Sequence, residues 1–155
     1  MSEPRYEIPP RRRPEGDAGY LEVMTQAVFQ AGFNWQVIRQ KWPNFQQAFA
    51  GFAVDRVAGF TELDVERLLG DRGIVRHGRK VEATIANART CQQLIRLHGS
   101  FYAYLRTLDG LSYEEREKRL SKQFKYMGPM GVYFFLWSVD EPVPEYEVWR
   151  AQRSL

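Results

Sequence analysis

The chain has 155 residues, a formal net charge of +3, 44% hydrophobic residues and one cysteine. That length fits one domain, the apolar share excludes wholesale disorder, and no run of about 18 apolar residues offers a membrane-spanning helix. Cys91 has no internal disulfide partner, and the charged start lacks the apolar stretch of a secretory signal, so a cytoplasmic protein with no membrane partner is expected.

Residues 1–16 read as a Pro/Arg-rich arm. Pro4, Pro9, Pro10 and Pro14 surround Arg11, Arg12 and Arg13, and proline lacks the N–H a helix needs. Such an arm is either a solvated tail or an ordered strap. Residues 17–155 form the single domain. Asp17 is a candidate N-cap, and Leu21, Met24, Val28 and Ala31 follow helical spacing up to Gly32. A second helical piece covers 34–41. Pro43 favours a new start, with Phe45, Ala48, Phe49 and Phe52 on its apolar face. Thr61 with Asp64 reads as a capping box, and that helix closes at Gly70 or Gly73. After a tight connector at 73–80 comes a long helix over 80–97, carrying Val81, Ile85, Ala88 and Leu94 on one side. Ser100 caps a short helix, and Ser112 with Glu115 opens another that runs to about Lys122. A glycine-rich turn at 126–131 leads into an apolar helix at 132–139, which residues 141–144 stop. No segment alternates like a strand. Around eight short helices predict an all-α, compact, bundle-like fold.

Three constellations could carry chemistry. The first is Phe124-Lys125-Tyr126-Met127-Gly128-Pro129-Met130-Gly131, preceded by Arg116, Lys118, Arg119 and Lys122. Read functionally, it is a hairpin whose amides grip a DNA backbone; read blandly, it is a turn beside a solvated face. The second, around Arg72, Arg76, His77, Arg79 and Lys80 with Gly73 and Gly78, is either a phosphate clamp or ordinary helix-end charge. His77 has no partner at ligand spacing, so no metal is expected there. In the third, Phe29-Gln30-Ala31-Gly32-Phe33-Asn34-Trp35, aromatics flank a helix break. They suit extrusion and stacking of a nucleobase, or plain core packing.

The run Gln30-Ala31-Gly32-Phe33-Asn34-Trp35 resembles the Q-A-G-L-S-W segment of the 3-methyladenine DNA glycosylase I family. In register, Asp64-Val65-Glu66-Arg67-Leu68, Gly73-Ile74-Val75-Arg76-His77, Lys80-Val81-Glu82-Ala83, Asn87-Ala88-Arg89 and Phe124-Lys125-Tyr126-Met127-Gly128 resemble its D-V-E-R-L, G-I-I-R-H, K-I-x-A, N-A-R and F-K-F-V-G. The likeness covers about residues 20–139. It implies a helix-hairpin-helix DNA glycosylase fold and a monofunctional enzyme. Such an enzyme flips an alkylated base such as 3-methyladenine from double-stranded DNA and hydrolyses its N-glycosidic bond, as a monomer and without a cofactor.

By the same resemblance, Gly32 and Phe33 form the wedge that enters the gap, Trp35 belongs to the base pocket, and Gly128 with its neighbours, Gly131 among them, grips the DNA backbone. Ala27 marks the base-reading position, with Gln26 beside it and Tyr6 as a further pocket candidate. From the basic segments themselves, Lys125, Arg76, Arg79 and Lys80 are expected to face the DNA backbone. Two departures stand out. The family's base-reading carboxylate falls on Ala27, and the two-Cys, two-His zinc clasp that the family often carries has no counterpart in Cys91, His77 and His98. Glu22 shares a helix with Ala27 but lies five positions away, on another face. Of Asp140, Glu141, Glu145 and Glu147 beyond the hairpin, Glu145 is the preferred catalytic acid. A non-catalytic binder of damaged DNA is the alternative that Ala27 favours.

Overall fold

The computed structural model of the protein describes residues 11–153, so Tyr6 and most of the proline arm lie outside the described residues. Nine α-helices are present in this stretch: α1 (Asp17–Gln30), α2 (Trp35–Ala48), α3 (Val54–Ala58), α4 (Glu62–Leu69), α5 (Gly78–His98), α6 (Phe101–Arg106), α7 (Tyr113–Gln123), α8 (Pro129–Ser138) and α9 (Tyr146–Arg153). A short 3₁₀ turn, Ala50–Phe52, joins α2 to α3, and there is no strand among the described residues. The all-α expectation holds. No helix among the described residues is long and apolar enough to cross a membrane.

α5 is the spine. Its 21 residues span roughly 30 Å, and α1, α3, α4 and α6 pack along it. α8 is apolar nearly all round and lies between α1 and α7. Most aromatic residues are core, as their bland reading holds. Trp42 stacks on Phe45 at 4.9 Å and on Phe52 at 5.4 Å, while Phe101 meets Phe135 edge-on at 6.0 Å. Faces of this kind, buried against one another, supply the main driving force for folding.

Local chemistry matches many of the boundaries read from the sequence. Both capping boxes are present, at Thr61 with Asp64 and at Ser112 with Glu115. The Ser100 side chain accepts from Ala103 N–H at 3.0 Å. Two boundaries differ. Pro43 opens no helix: it lies inside α2 on the exposed side, while the buried row Ile38, Trp42 and Phe45 runs past it unbroken. Asp17 does not cap α1, whose N-cap is Gly16; its carboxylate instead accepts from Phe101 N–H at 2.9 Å, tying α1 to the start of α6. Helices α3 and α9 carry little sequence signal, being short, with Val54, Val57, Ala58 and Trp149 as their buried apolar residues.

Residues 11–14 run as a strap over the end of α8. Arg11 donates to the Trp137 carbonyl at 2.9 Å and to the Glu141 carbonyl at 2.6 Å, and Arg12 N–H donates to the Ser138 carbonyl at 3.1 Å. Arg13 lies over the Tyr102 ring at 3.8 Å. Arg11 and Arg13 therefore serve the fold, not a free basic patch. On the opposite terminus, Trp149 of α9 stacks on Tyr133 at 4.6 Å, and Arg153 pairs with the buried Glu117. Arg11→Ala removes a cation from carbonyls at a helix C-terminus and should cost about 1–2 kcal/mol. Urea unfolding monitored by circular dichroism checks this, with an unchanged midpoint as the contrary result.

Candidate nucleic-acid interface

The segment after α1 is built to stay put. Gly32 adopts φ +69°, a left-handed conformation suited to glycine, and no atom lies within 4 Å of where its Cβ would be. Phe33 N–H returns to the Gln30 carbonyl at 2.9 Å, and the Asn34 side chain accepts from Gln36 N–H at 2.8 Å to start α2. Beneath this loop, the Lys80 ammonium donates to the Phe29 carbonyl at 3.1 Å and the Ala31 carbonyl at 2.7 Å. Lys80 is almost wholly buried, and burial lowers its pKa. A cation on the last carbonyls of a helix satisfies groups the helix itself cannot. The tip so held presents Phe33, which is 45% exposed. Lys80 is thus a buried pin that positions the Phe33 loop, not the surface cation facing a DNA backbone that the sequence suggests.

The α7–α8 hairpin is anchored to the same helix. Asn87 of α5 donates to the Lys125 carbonyl at 3.1 Å and accepts from Lys125 N–H at 2.7 Å. This clamp holds a turn in which Tyr126 takes φ +56°, an uncommon conformation for a residue with a side chain. The Tyr126 ring stands edge-on to His77 with centroids 6.1 Å apart. The two basic, glycine-bearing segments therefore meet. Gly128 is the N-cap of α8 and has no side-chain cap, and Pro129 follows it, so the amides of Met130 and Gly131 head the helix. Lys125, Arg76 and Arg79 are exposed. Amides at a helix start with cations around them can receive a phosphate.

A cleft of ≈ 550 Å³ lies between the strap and α1, closed on one side by Ser138 of α8. Gln26 and Glu22, one turn apart, line it. Ala27, on the next position, is buried in the core. Trp35 is half-buried, edge-on to Phe134 at 6.1 Å. Phe134 lies one turn before Ser138 on α8, which puts Trp35 and the cleft along one side of that helix. Glu145 is elsewhere: its side chain is exposed just before α9, and its carbonyl accepts from Trp149 N–H at 3.0 Å.

The zinc clasp does not fit these residues. Cys91 sits in the core, where burial pushes its thiol pKa up, and His77 and His98 stand at opposite ends of α5. His77 Nδ1 accepts from Lys80 N–H at 3.2 Å. No group of three His, Cys, Asp or Glu is gathered among the described residues.

Several motif residues turn out to be pins. Besides Lys80 and Asn87, Arg67 donates to the Ala48 carbonyl at 3.1 Å, and Arg89 donates to the Ala58 and Phe60 carbonyls at 3.0 and 3.2 Å. Their recurrence in ordered motifs was legible; their targets, far along the chain, were not.

This helical fold, with its hairpin and braced aromatic loop, is shared with solved 3-methyladenine DNA glycosylase I structures. The profile of the methyladenine glycosylase family matches residues 12–126, so the chain belongs to that family. Residues are 40% identical over 82 positions to DNA-3-methyladenine glycosylase 1 of Escherichia coli (strain K12), a match covering 52% of this chain and 44% of that protein. The matched stretch thus spans less than half of that relative's length. A crystal structure of 3-methyladenine DNA glycosylase I superposes with a TM-score of 0.68 at 30% identity, over 82% of this chain and 81% of the other. The Staphylococcus aureus 3-methyladenine DNA glycosylase I, in a structure concerning 3-methyladenine recognition, shares the fold with a TM-score of 0.73 at 24% identity, over 83% and 78% of the two chains.

Lys80→Met strands two carbonyls at the end of α1. It should cost about 1–3 kcal/mol and raise hydrogen exchange at the amides of residues 32–34. Protection equal to wild type at those amides would show that the ammonium does not hold the loop.

Proposed function

We propose that this protein is a monofunctional DNA glycosylase acting on an alkylated, cationic base such as 3-methyladenine in double-stranded DNA. The observation that carries the reading is the juxtaposition made by α5. One helix braces the loop that exposes Phe33 and also clamps the hairpin that heads α8. Phe33 enters the gap left by the flipped base, and the Met130 and Gly131 amides with Lys125, Arg76 and Arg79 receive the backbone. Gln26 and Trp35 border the place where the base lodges, and Ala27, buried in the core, stands at the position of the family's base-reading carboxylate.

The chemistry asks little of the protein. In a cationic purine nucleotide the bond between C1′ and the base nitrogen is already weakened. It breaks with its electron pair going to the base, which leaves neutral, while the sugar passes through an oxocarbenium-like state. A water oxygen then bonds to C1′ and releases one proton to solvent. The reaction as proposed uses water alone, with no cofactor and no Schiff base. The exposed position of Lys125 on the hairpin suits a phosphate contact. We propose that the protein works as a monomer, in the cytoplasmic compartment expected from its sequence.

Ala27 favours a second reading, a binder of damaged DNA that keeps the fold without chemistry, because no carboxylate stands at that position. Methylated duplex DNA separates the two. The glycosylase reading expects free 3-methyladenine and abasic sites, with no borohydride-trapped adduct; binding without release supports the binder. Glu145→Gln should leave single-turnover release unchanged, since its exposed side chain lies away from the cleft. Abolished release would restore Glu145 as the acid.

Phe33→Ala should weaken binding to an abasic-site duplex several-fold more than binding to intact duplex. Fluorescence anisotropy at fixed salt measures both, and equal losses would remove the wedge role.

A further inference from the structure

Helix α7 sorts its charges along its length. The first turn carries Glu114 and Glu115, and the Glu115 carboxylate is engaged in the capping box with Ser112. Glu117 turns inward, where it pairs with Arg153 and accepts from Trp149 Nε1 at 3.4 Å. Beyond the first turn, every exposed residue of α7 is a cation: Lys118, Arg119 and Lys122. Lys118 and Lys122, four apart, share one face of the helix, and Lys125 follows in the hairpin turn. Neither the Lys118 nor the Lys122 ammonium has a hydrogen bond or ion pair among the described residues. Glu114, one turn before Lys118, is the acid best placed to neutralise it, and the two form no ion pair. Cations at a helix C-terminus also answer the macrodipole, an attraction that fades beyond the last turn. Of the three exposed cations, Lys122 alone lies in that turn, so the macrodipole leaves Lys118 and Arg119 without a task.

The lysine row runs into the hairpin. Asn87 clamps Lys125, and the uncapped head of α8 begins at Gly128. From Lys125 back to Lys118 the helical rise covers about 10 Å, or about three steps of 3.4 Å along a DNA strand. We propose that the outward face of α7 is a second phosphate track, on which Lys118 and Lys122, with Arg119 beside them, hold the duplex flank beyond the hairpin. The inference rests on the reading above that the head of α8 receives DNA. Two features commit the face to DNA: its charge is all of one sign, and it continues the hairpin. A protein partner would want a buried apolar anchor, and α7 exposes no large apolar side chain. Phosphate contacts carry no sequence information and form alike on damaged and undamaged duplex. The α7 track therefore serves the search along intact DNA and not the choice of the damaged base.

The test measures binding of the full chain to an undamaged duplex and to one bearing a tetrahydrofuran abasic site. Fluorescence anisotropy follows both from about 50 to 200 mM salt. In the double variant Lys118→Gln, Lys122→Gln the loss of affinity over that range should be about tenfold smaller than in wild type, the share of two phosphate contacts. The reduction should be equal on the two duplexes, so the preference for the abasic site stays as in wild type. Lys118→Arg with Lys122→Arg should keep the wild-type salt dependence. Unchanged salt dependence in the glutamine variant overturns the proposal; a lowered Tm alongside would assign the lysines to the stability of α7. An effect confined to the abasic duplex also overturns it, because the contact would then belong to the lesion. Unchanged salt dependence with base release by wild type sinks the track and leaves the glycosylase reading standing. A smaller salt dependence in the glutamine variant, with no base release by wild type, would do the reverse.

Discussion

The Lys80 ammonium beneath the end of α1 is the contact on which the Phe33 loop and its setting on α5 depend. A helix end leaves carbonyls without intrahelical partners, and water or a cation must meet them. Here a buried lysine from a helix fifty positions later meets two of them. The cost of desolvating that ammonium, visible in its lowered pKa, is offset because both carbonyls are satisfied at once. The gain is geometric: a four-residue loop with a half-exposed phenylalanine at its tip has one position relative to α5, and Asn87 gives the hairpin one position relative to the same helix. Two loops distant in sequence become a single rigid surface.

That arrangement separates residues that hold the fold from residues proposed to meet DNA. Lys80, Asn87, Arg67 and Arg89 direct their polar atoms at backbone groups within the fold. Phe33, Lys125, Arg76 and Arg79 are exposed, and the head of α8 has no side-chain cap. A small positive net charge is enough for such a surface, since local placement decides what a phosphate meets. The strap and α9 play the corresponding role at the two ends of the described chain, through Arg11 on the α8 carbonyls and Trp149 on Tyr133.

Much of the fold was legible because its signals are local. Thr61 with Asp64, Ser100, and Ser112 with Glu115 announce helix starts through bonds spanning three residues. Pro43 misled for the same reason: its local preference yielded to the continuous apolar face of α2. The candidate site was legible only in part. Phe33 and the hairpin glycines stood out by pattern. The real task of Lys80 did not, because a lysine in a basic run looks the same whether it meets solvent or a distant carbonyl. Helical phase places Glu22 on another face of α1 than Ala27, and there its carboxylate accepts from Trp42 and Gln46 of α2, a pairing that phase alone does not show.

As proposed, α5 presents the Phe33 loop and the α8 hairpin as one DNA-gripping surface. A crystal structure of the protein with a duplex bearing a tetrahydrofuran abasic site should then show the Phe33 ring inside the stack at the abasic position, a phosphate within hydrogen-bond distance of the Met130 and Gly131 amides, and the abasic sugar turned toward α1. DNA bound through another face, with Phe33 left in solvent, would contradict it.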